Sequence, residues 1–377
     1  MNVEVLNTIL NELKDELNKT GIVNLLNDLA TNMQTLAAPS SQIMITHLPI
    51  PKHKQNVSQI KITLTANLRQ SKVNDFPFLW KESLKHIGFE GLLGNELADK
   101  IEDIITKSQT APAVAYEELV AIAKRVTSLV TAITQLTAIN KILHIGTQKL
   151  QSGQSELEAL VPRTAINDNM EEFLSETKKL KMFVDVFNEL VTGTRGGVKL
   201  KTIASSDYSL TVAISPKVGL CMLKAVSLTI VAYKHVLDIR KHYMGLKYGL
   251  GVPLNEVENL EKYANEKMEE SLVQGITQLA EENISSVIKP ERKTELLVLI
   301  HGAIRELANR IDRGYCVDVR FSDGRIDDDM TIEEEKKVRE QIKELSKHLE
   351  FKNVSGGRIL SLQEVNAPAS FNIGKVS

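Results

Sequence analysis

The sequence predicts a mainly α fold: long antiparallel helices, bundle-like or coiled-coil-like, with small β-hairpin elements that join into one small sheet. Three observations predict it. Apolar residues recur at i, i+3 and i+4 over most of the chain. Leu, Ile, Lys and Glu are plentiful while aromatics make up only 5% of residues, a mix that favours helices over a β-sandwich. Period-two alternation is confined to a few short stretches.

With 377 residues, 42% hydrophobic and 25% charged, the chain has the composition of a soluble protein that builds its core without disulfides or metals. A formal net charge of −2 points to no polyanion partner, so nucleic acid is disfavoured. Two cysteines, Cys221 and Cys316, are too few for a disulfide framework. The opening "MNVEVLNTILNELKDELNK" has neither a basic n-region nor an apolar signal core. Together these point to a reducing, cytoplasmic setting.

Residues 1–40 read as an N-terminal helical segment. Leu6, Ile9, Leu13 and Leu17, then Leu25, Leu29, Met33 and Leu36, keep helical spacing on either side of Gly21. Residues 41–100 read as a small hairpin plus short helices. "QIMITHL" (42–48) and "SQIKITLTANL" (58–68) alternate, with Ile60, Ile62, Leu64, Ala66 and Leu68 on one face. "DFPFLWKESLKHIGFEGLLG" (75–94) would supply Trp80, Phe76, Phe78 and Phe89 to cover that hairpin.

Residues 110–350 read as the main helical bundle, with an inserted hairpin (198–215) and a strand (315–321). Its first helix carries Ile122, Val126, Leu129, Ile133, Leu136, Asn140 and Leu143 at 4-3 spacing, a three-heptad seam with one polar member. Two symmetry-related copies of Asn140 could satisfy each other, so these seven residues are the candidate interface of a homo-oligomer. "QSGQS" (151–155) and "VPRTAINDN" (161–169) are punctuation, and Asp168 with Glu171 suggests a capping box for a helix to about 191. "VKLKTIASSDYSLTVAIS" alternates around "SSD" as a hairpin. Ser215 and Pro216 then open a helix ending near Gly249, followed by a helix capped by Asn255 and Glu258 that runs to about 289–290. "ERKTELLVLIHGAIRELANRIDRG" is the next helix, "YCVDVRF" a strand, and Thr331 with Glu334 cap a last helix. Residues 352–377 show no period and read as a loosely ordered tail.

The stretch "VGLCMLKAVSLTIVAY" (218–233) carries one charge, Lys224. Sixteen residues rise roughly 24 Å, short of a bilayer core of about 30 Å. A buried helix, apolar all round, is the better reading. A hairpin feeding such a helix resembles in outline the helical pore-forming toxins, and a membrane-active protein inserting 198–233 is the alternative function.

Chemistry is sparse. Eight histidines show no i, i+4 pair, and no metal ligand, cofactor-binding or catalytic residue is assigned. "TGTRGG" (192–197) lacks the lysine and the context of a phosphate loop, and reads as a turn. Asp318, Asp327, Asp328, Asp329 and Glu335-x-Lys337 invite a metal-dependent nuclease, but sit in a turn and at a capped helix start, where acids suit the dipole. Lys234, Arg240, Lys241 and Lys247 with Tyr243 and Tyr248 read as a solvated helix face. The function favoured by the sequence is a non-enzymatic soluble assembly or interaction protein that self-associates through helices.

Overall fold

Helical periodicity dominates on each side of residue 150, interrupted after it by a few short period-two stretches. In the computed structural model the chain divides into two units, 1–149 and 150–377. The described residues are 3–37, 50–107, 111–148, 150, 154–204, 208–250, 254–322, 331–347, 349 and 351. The fold is mainly α, with twelve helices and one four-stranded antiparallel sheet among the described residues.

Among the described residues the first unit's regular structure is all helical: α1 (Val3–Thr20), α2 (Ile22–Ala37), α3 (Ile50–Arg69), α4 (Phe78–Leu84), α5 (Gly94–Lys107) and α6 (Pro112–Ile142). Gly21, at φ +61°, makes the break between α1 and α2 that the sequence suggested. Its core is one cluster that includes Ile9, Leu13, Leu26, Leu29, Leu64, Leu97, Ile101, Leu119 and Val126.

The hairpin expected over 42–68 is not there. Residues 58–68 belong to α3, and 42–48 lie outside the described residues. Ile60, Leu64 and Leu68 are spaced by four, so they satisfy a helical period as well as alternation. Ile62 decides between the two: it is 57% exposed, while Val57, Leu64 and Leu68 are buried against α2 and α5. Trp80 packs edge-on against Phe76 at 5.4 Å and covers helices, not strands.

The organisation also differs from the sequence reading. Segments 1–40 and 41–100 and the helix from 112 share one core, so the helix expected to open the main bundle belongs to the first unit.

The second unit holds β1 (Ser155–Leu160), a short α7 (Arg163–Ile166), α8 (Met170–Thr192), β2 (Lys199–Ala204), β3 (Ser209–Ile214), α9 (Pro216–Leu250), α10 (Leu254–Asn283), α11 (Pro290–Asp312), β4 (Cys316–Phe321) and α12 (Ile332–Lys347). The strand order is β2-β3-β1-β4, with Leu157 opposite Val212 and Val319. The 199–214 hairpin and the 316–321 strand stand where the sequence placed them. Apart from Ser155, strand β1 falls between the two stretches taken as punctuation, on residues to which the sequence reading assigned no element. Its glutamates disguise it, and they are accommodated by cross-strand partners: Glu156 meets Lys201 at 2.7 Å and Arg320 at 2.6 Å.

Helix α9 packs against α8, α10, α11, α12, β1 and β4. That explains why its first half is apolar all round. Gly219 permits its approach to the sheet, since a Cβ there would fall 2.9 Å from Val319 Cγ1. Two ends differ from expectation: α8 is capped by Asn169, which accepts from Glu171 N, and α10 stops at Asn283. The side chains of Asn255 and Glu258, the expected cap of α10, lie outside the described residues, as does the 352–377 tail. The Thr331–Glu334 capping box of α12 forms as read, with Thr331 N donating to Glu334 Oε2 at 2.9 Å and Glu334 N to Thr331 Oγ1 at 3.3 Å.

Candidate interface at the end of helix α6

Helix α6 opens on Pro112 and turns one arc inward, burying Leu119, Ile122, Ala123, Val126, Ile133 and Thr137 against its unit's core. The seam read from the sequence starts in that arc and leaves it. A strict seven-residue repeat drifts about 20° per heptad on a straight helix, so about 60° over three. Ile122, Val126 and Ile133 are accordingly buried, Leu129 and Asn140 half-buried, and Leu136 and Leu143 exposed.

The drift leaves an apolar patch on the last two turns. Leu136 is 47% exposed, Ile139 49%, Ile142 74% and Leu143 63%. Ile139 and Ile142 lie off the 4-3 seam, which is why the sequence reading missed them. At 100° per residue the four fall within an arc of about 120°.

Asn140 finds its partner inside the chain. Its Nδ2 donates to Asn7 Oδ1 at 3.0 Å. Asn7 Nδ2 donates in turn to the carbonyls of Ile145 at 3.0 Å and Gly146 at 3.1 Å, and Gln148 N donates to Thr8 Oγ1 at 2.8 Å. This corrects the reason for expecting an oligomer: no second copy is needed to satisfy Asn140. The network has a different consequence. It pins the end of α6 and the turn through His144 (φ +54°) onto α1, so the patch is held rigid.

The other sequence candidates are accounted for differently. The 218–233 stretch is core: Val226 is 0% and Ile230 2% exposed, and burial drives the Cys221 thiol up to about 12. "TGTRGG" follows the C-terminus of α8, the wrong dipole end for an anion, and Asn188 Nδ2 already donates to the Thr194 and Gly196 carbonyls. Asp318 is buried in β4, opposite Glu158, and Glu335 is buried on the first turn of α12; Asp327, Asp328 and Asp329 lie outside the described residues. Burial holds the Glu158 carboxyl above its usual range, against the hydrogen bond from Ser209 at 2.8 Å. Among the described residues no three His, Cys, Asp or Glu side chains are grouped to hold a metal ion. Lys234 is half-buried, and the side chains at 240–248 lie outside the described residues.

Two ion-pair clusters tie α8 to α11. Arg310 donates to Glu176 at 2.7 Å and to Glu306 at 2.5 Å, and Arg292 grips Glu189 with bonds of 2.6 and 2.9 Å. Burial alone would raise Glu176, but Arg310 outweighs it and the carboxyl is lowered; Arg292 lowers Glu189 chiefly by hydrogen bonding. Beside Glu176 and Arg310 lies an apolar cavity of about 30 Å³ lined by Phe183, Leu307 and Val317. A benzene-sized cavity is about 150 Å³, so this one has room for water only.

No family model, characterised protein or solved structure matches the chain.

Proposed function

We propose that the protein is a non-enzymatic assembly protein that self-associates through the exposed end of α6. One observation carries this reading: Leu136, Ile139, Ile142 and Leu143 stand 47–74% exposed together, on a helix end held rigid from behind. Contiguous apolar patches of this kind mark interaction sites. The setting that fits is the cytoplasm, with Cys221 and Cys316 both free thiols. The test is sedimentation velocity across the micromolar range. Wild type should sediment above its monomer mass of 42.0 kDa, and Ile139→Glu/Ile142→Glu at that mass. A wild type that stays monomeric, or a double variant that still associates, would contradict the proposal.

A membrane-active protein is the second reading, and it now rests on a different segment. The 218–233 helix of the 198–233 element is largely buried, although Leu200 and Ile203 on β2 are exposed, whereas α6 carries Lys124, Arg125 and Lys141 and no acidic residue from Leu119 to Ile142. That combination suits an anionic lipid surface. Flotation of monomeric wild type with phosphatidylserine vesicles, abolished in the double variant, would favour it. Metal-dependent cleavage of DNA or RNA by purified protein would replace both readings with an enzymatic one.

A further inference from the structure

Resting on the self-association proposed above, we infer that two copies meet antiparallel, the end of α6 against the end of α6, about a two-fold axis opposite Ile139. The charge distribution selects the direction. Lys124, Arg125 and Lys141 are the charged groups of α6 beyond Glu118, and all are cationic. A parallel, in-register pair sets Lys124 against Lys124 and Arg125 against Arg125, about 10 Å apart across the helix contact, with no anion between them. An antiparallel pair centred on Ile139 places each Arg125 fourteen residues from the axis, about 21 Å. The two copies' arginines are then roughly 42 Å apart, several screening lengths.

The apolar positions fit the same axis. Leu136 lies three residues before Ile139 and Leu143 four after, on the same flank of the helix. A two-fold therefore brings Leu136 of one copy against Leu143 of the other, with Ile139 meeting its own image. Ile142 falls on the opposite flank, level with Gln135 of the second copy. Isologous contacts of this kind close after two subunits.

The extent of the patch favours a second copy over a lipid surface. Exposed large apolar side chains run together only over the last two turns; upstream, Val114 and Val120 stand apart, and the outward positions after them are Lys124, Arg125, Ser128, Thr131 and Ala132. A helix that lies on a membrane carries its apolar face along its length. A contact of four side chains is at the small end of protein interfaces, so dissociation in the micromolar range or above follows.

Disulfide trapping tests the geometry. Leu136→Cys and Leu143→Cys are made singly in a Cys316→Ser background; both positions are exposed, so folding is spared. Each variant, and an equal mixture, is oxidised mildly at tens of micromolar. The mixture should give several-fold more cross-linked dimer than either variant alone. If each variant cross-links with itself and the mixture gains nothing, the pairing is parallel: the inference falls and self-association stands. If nothing cross-links, sedimentation of the same samples decides what falls with it. A monomer overturns the self-association reading too, and an oligomer means another surface holds it together. Cross-linking that appears only with phosphatidylserine vesicles would make lipid the occupant and overturn the inference.

Discussion

Among the described residues two helical stretches, 112–142 in α6 and 216–238 in α9, are long and apolar enough to cross a membrane, with mean hydropathies of 1.3 and 1.5 over their most apolar parts. Their surroundings differ sharply: 67% of the most apolar part of α9 is buried and only 28% of that of α6. Helix α9 is apolar all round because other elements surround it. Helix α6 has a core on one side only, yet its outer side lacks the dense charge that a surface helix usually carries. Equal hydropathy thus has two physical meanings. In α9 it is packing already satisfied, and in α6 it is packing still available.

The same charge placed in each helix should have very different effects. Val226→Asp buries an unpaired carboxylate among fully enclosed neighbours and should cost more than about 4 kcal/mol, leaving little soluble folded protein. Ile142→Asp, at a site 74% exposed, should shift stability by about 0.5 kcal/mol or less. Soluble expression and thermal melts of the two variants check this. Equal outcomes would erase the distinction.

Removing the pin on α6 is a gentler change. Asn140→Ala deletes one hydrogen bond, while Asn11 Nδ2 still serves Asn7 Oδ1 at 3.0 Å, so the expected loss is about 1 kcal/mol in denaturant unfolding. Self-association should weaken without vanishing, because the apolar side chains remain. Complete loss of association would make Asn140 part of the contact rather than its support.

A smaller effect separates the units by pH. Glu176 and Glu189 have folded-state values below the ordinary 4.5, so the stability they add is present above that value. It is lost as pH falls below 4.5 toward the depressed values. Since these pairs join α8 to α11, amide exchange in those helices should rise on acidification before it rises in α6. Simultaneous loosening would argue against the ion pairs as the cause.

Much of the fold was legible because long helices repeat their signal. The α1–α2 break at Gly21, the 199–214 hairpin, the α9 start at Ser215–Pro216 and the Thr331 capping box all rest on local chemistry. What failed rests on ambiguity or distance. Ile60, Leu64 and Leu68 satisfy two periods, and only their neighbours choose between them. The sequence assigns no element to strand β1, because its glutamates mask its alternation and Glu156's partners Lys201 and Arg320 come from far along the chain. The interface was half legible: the seam located the right helix, but drift carries Leu136 and Leu143 outward while Ile122, Val126 and Ile133 turn in. Asn140's partner, 133 residues away, had no signal in the sequence.

Hydroxyl-radical footprinting at two protein concentrations separates satisfied from available packing in the two helices. Leu223, Val226 and Ile230 in α9 should be unreactive at both. Ile139, Ile142 and Leu143 should react when the protein is dilute and become protected when it is concentrated. Reactivity of the α6 end that is unchanged by concentration, or appearing in α9 instead, would contradict the account.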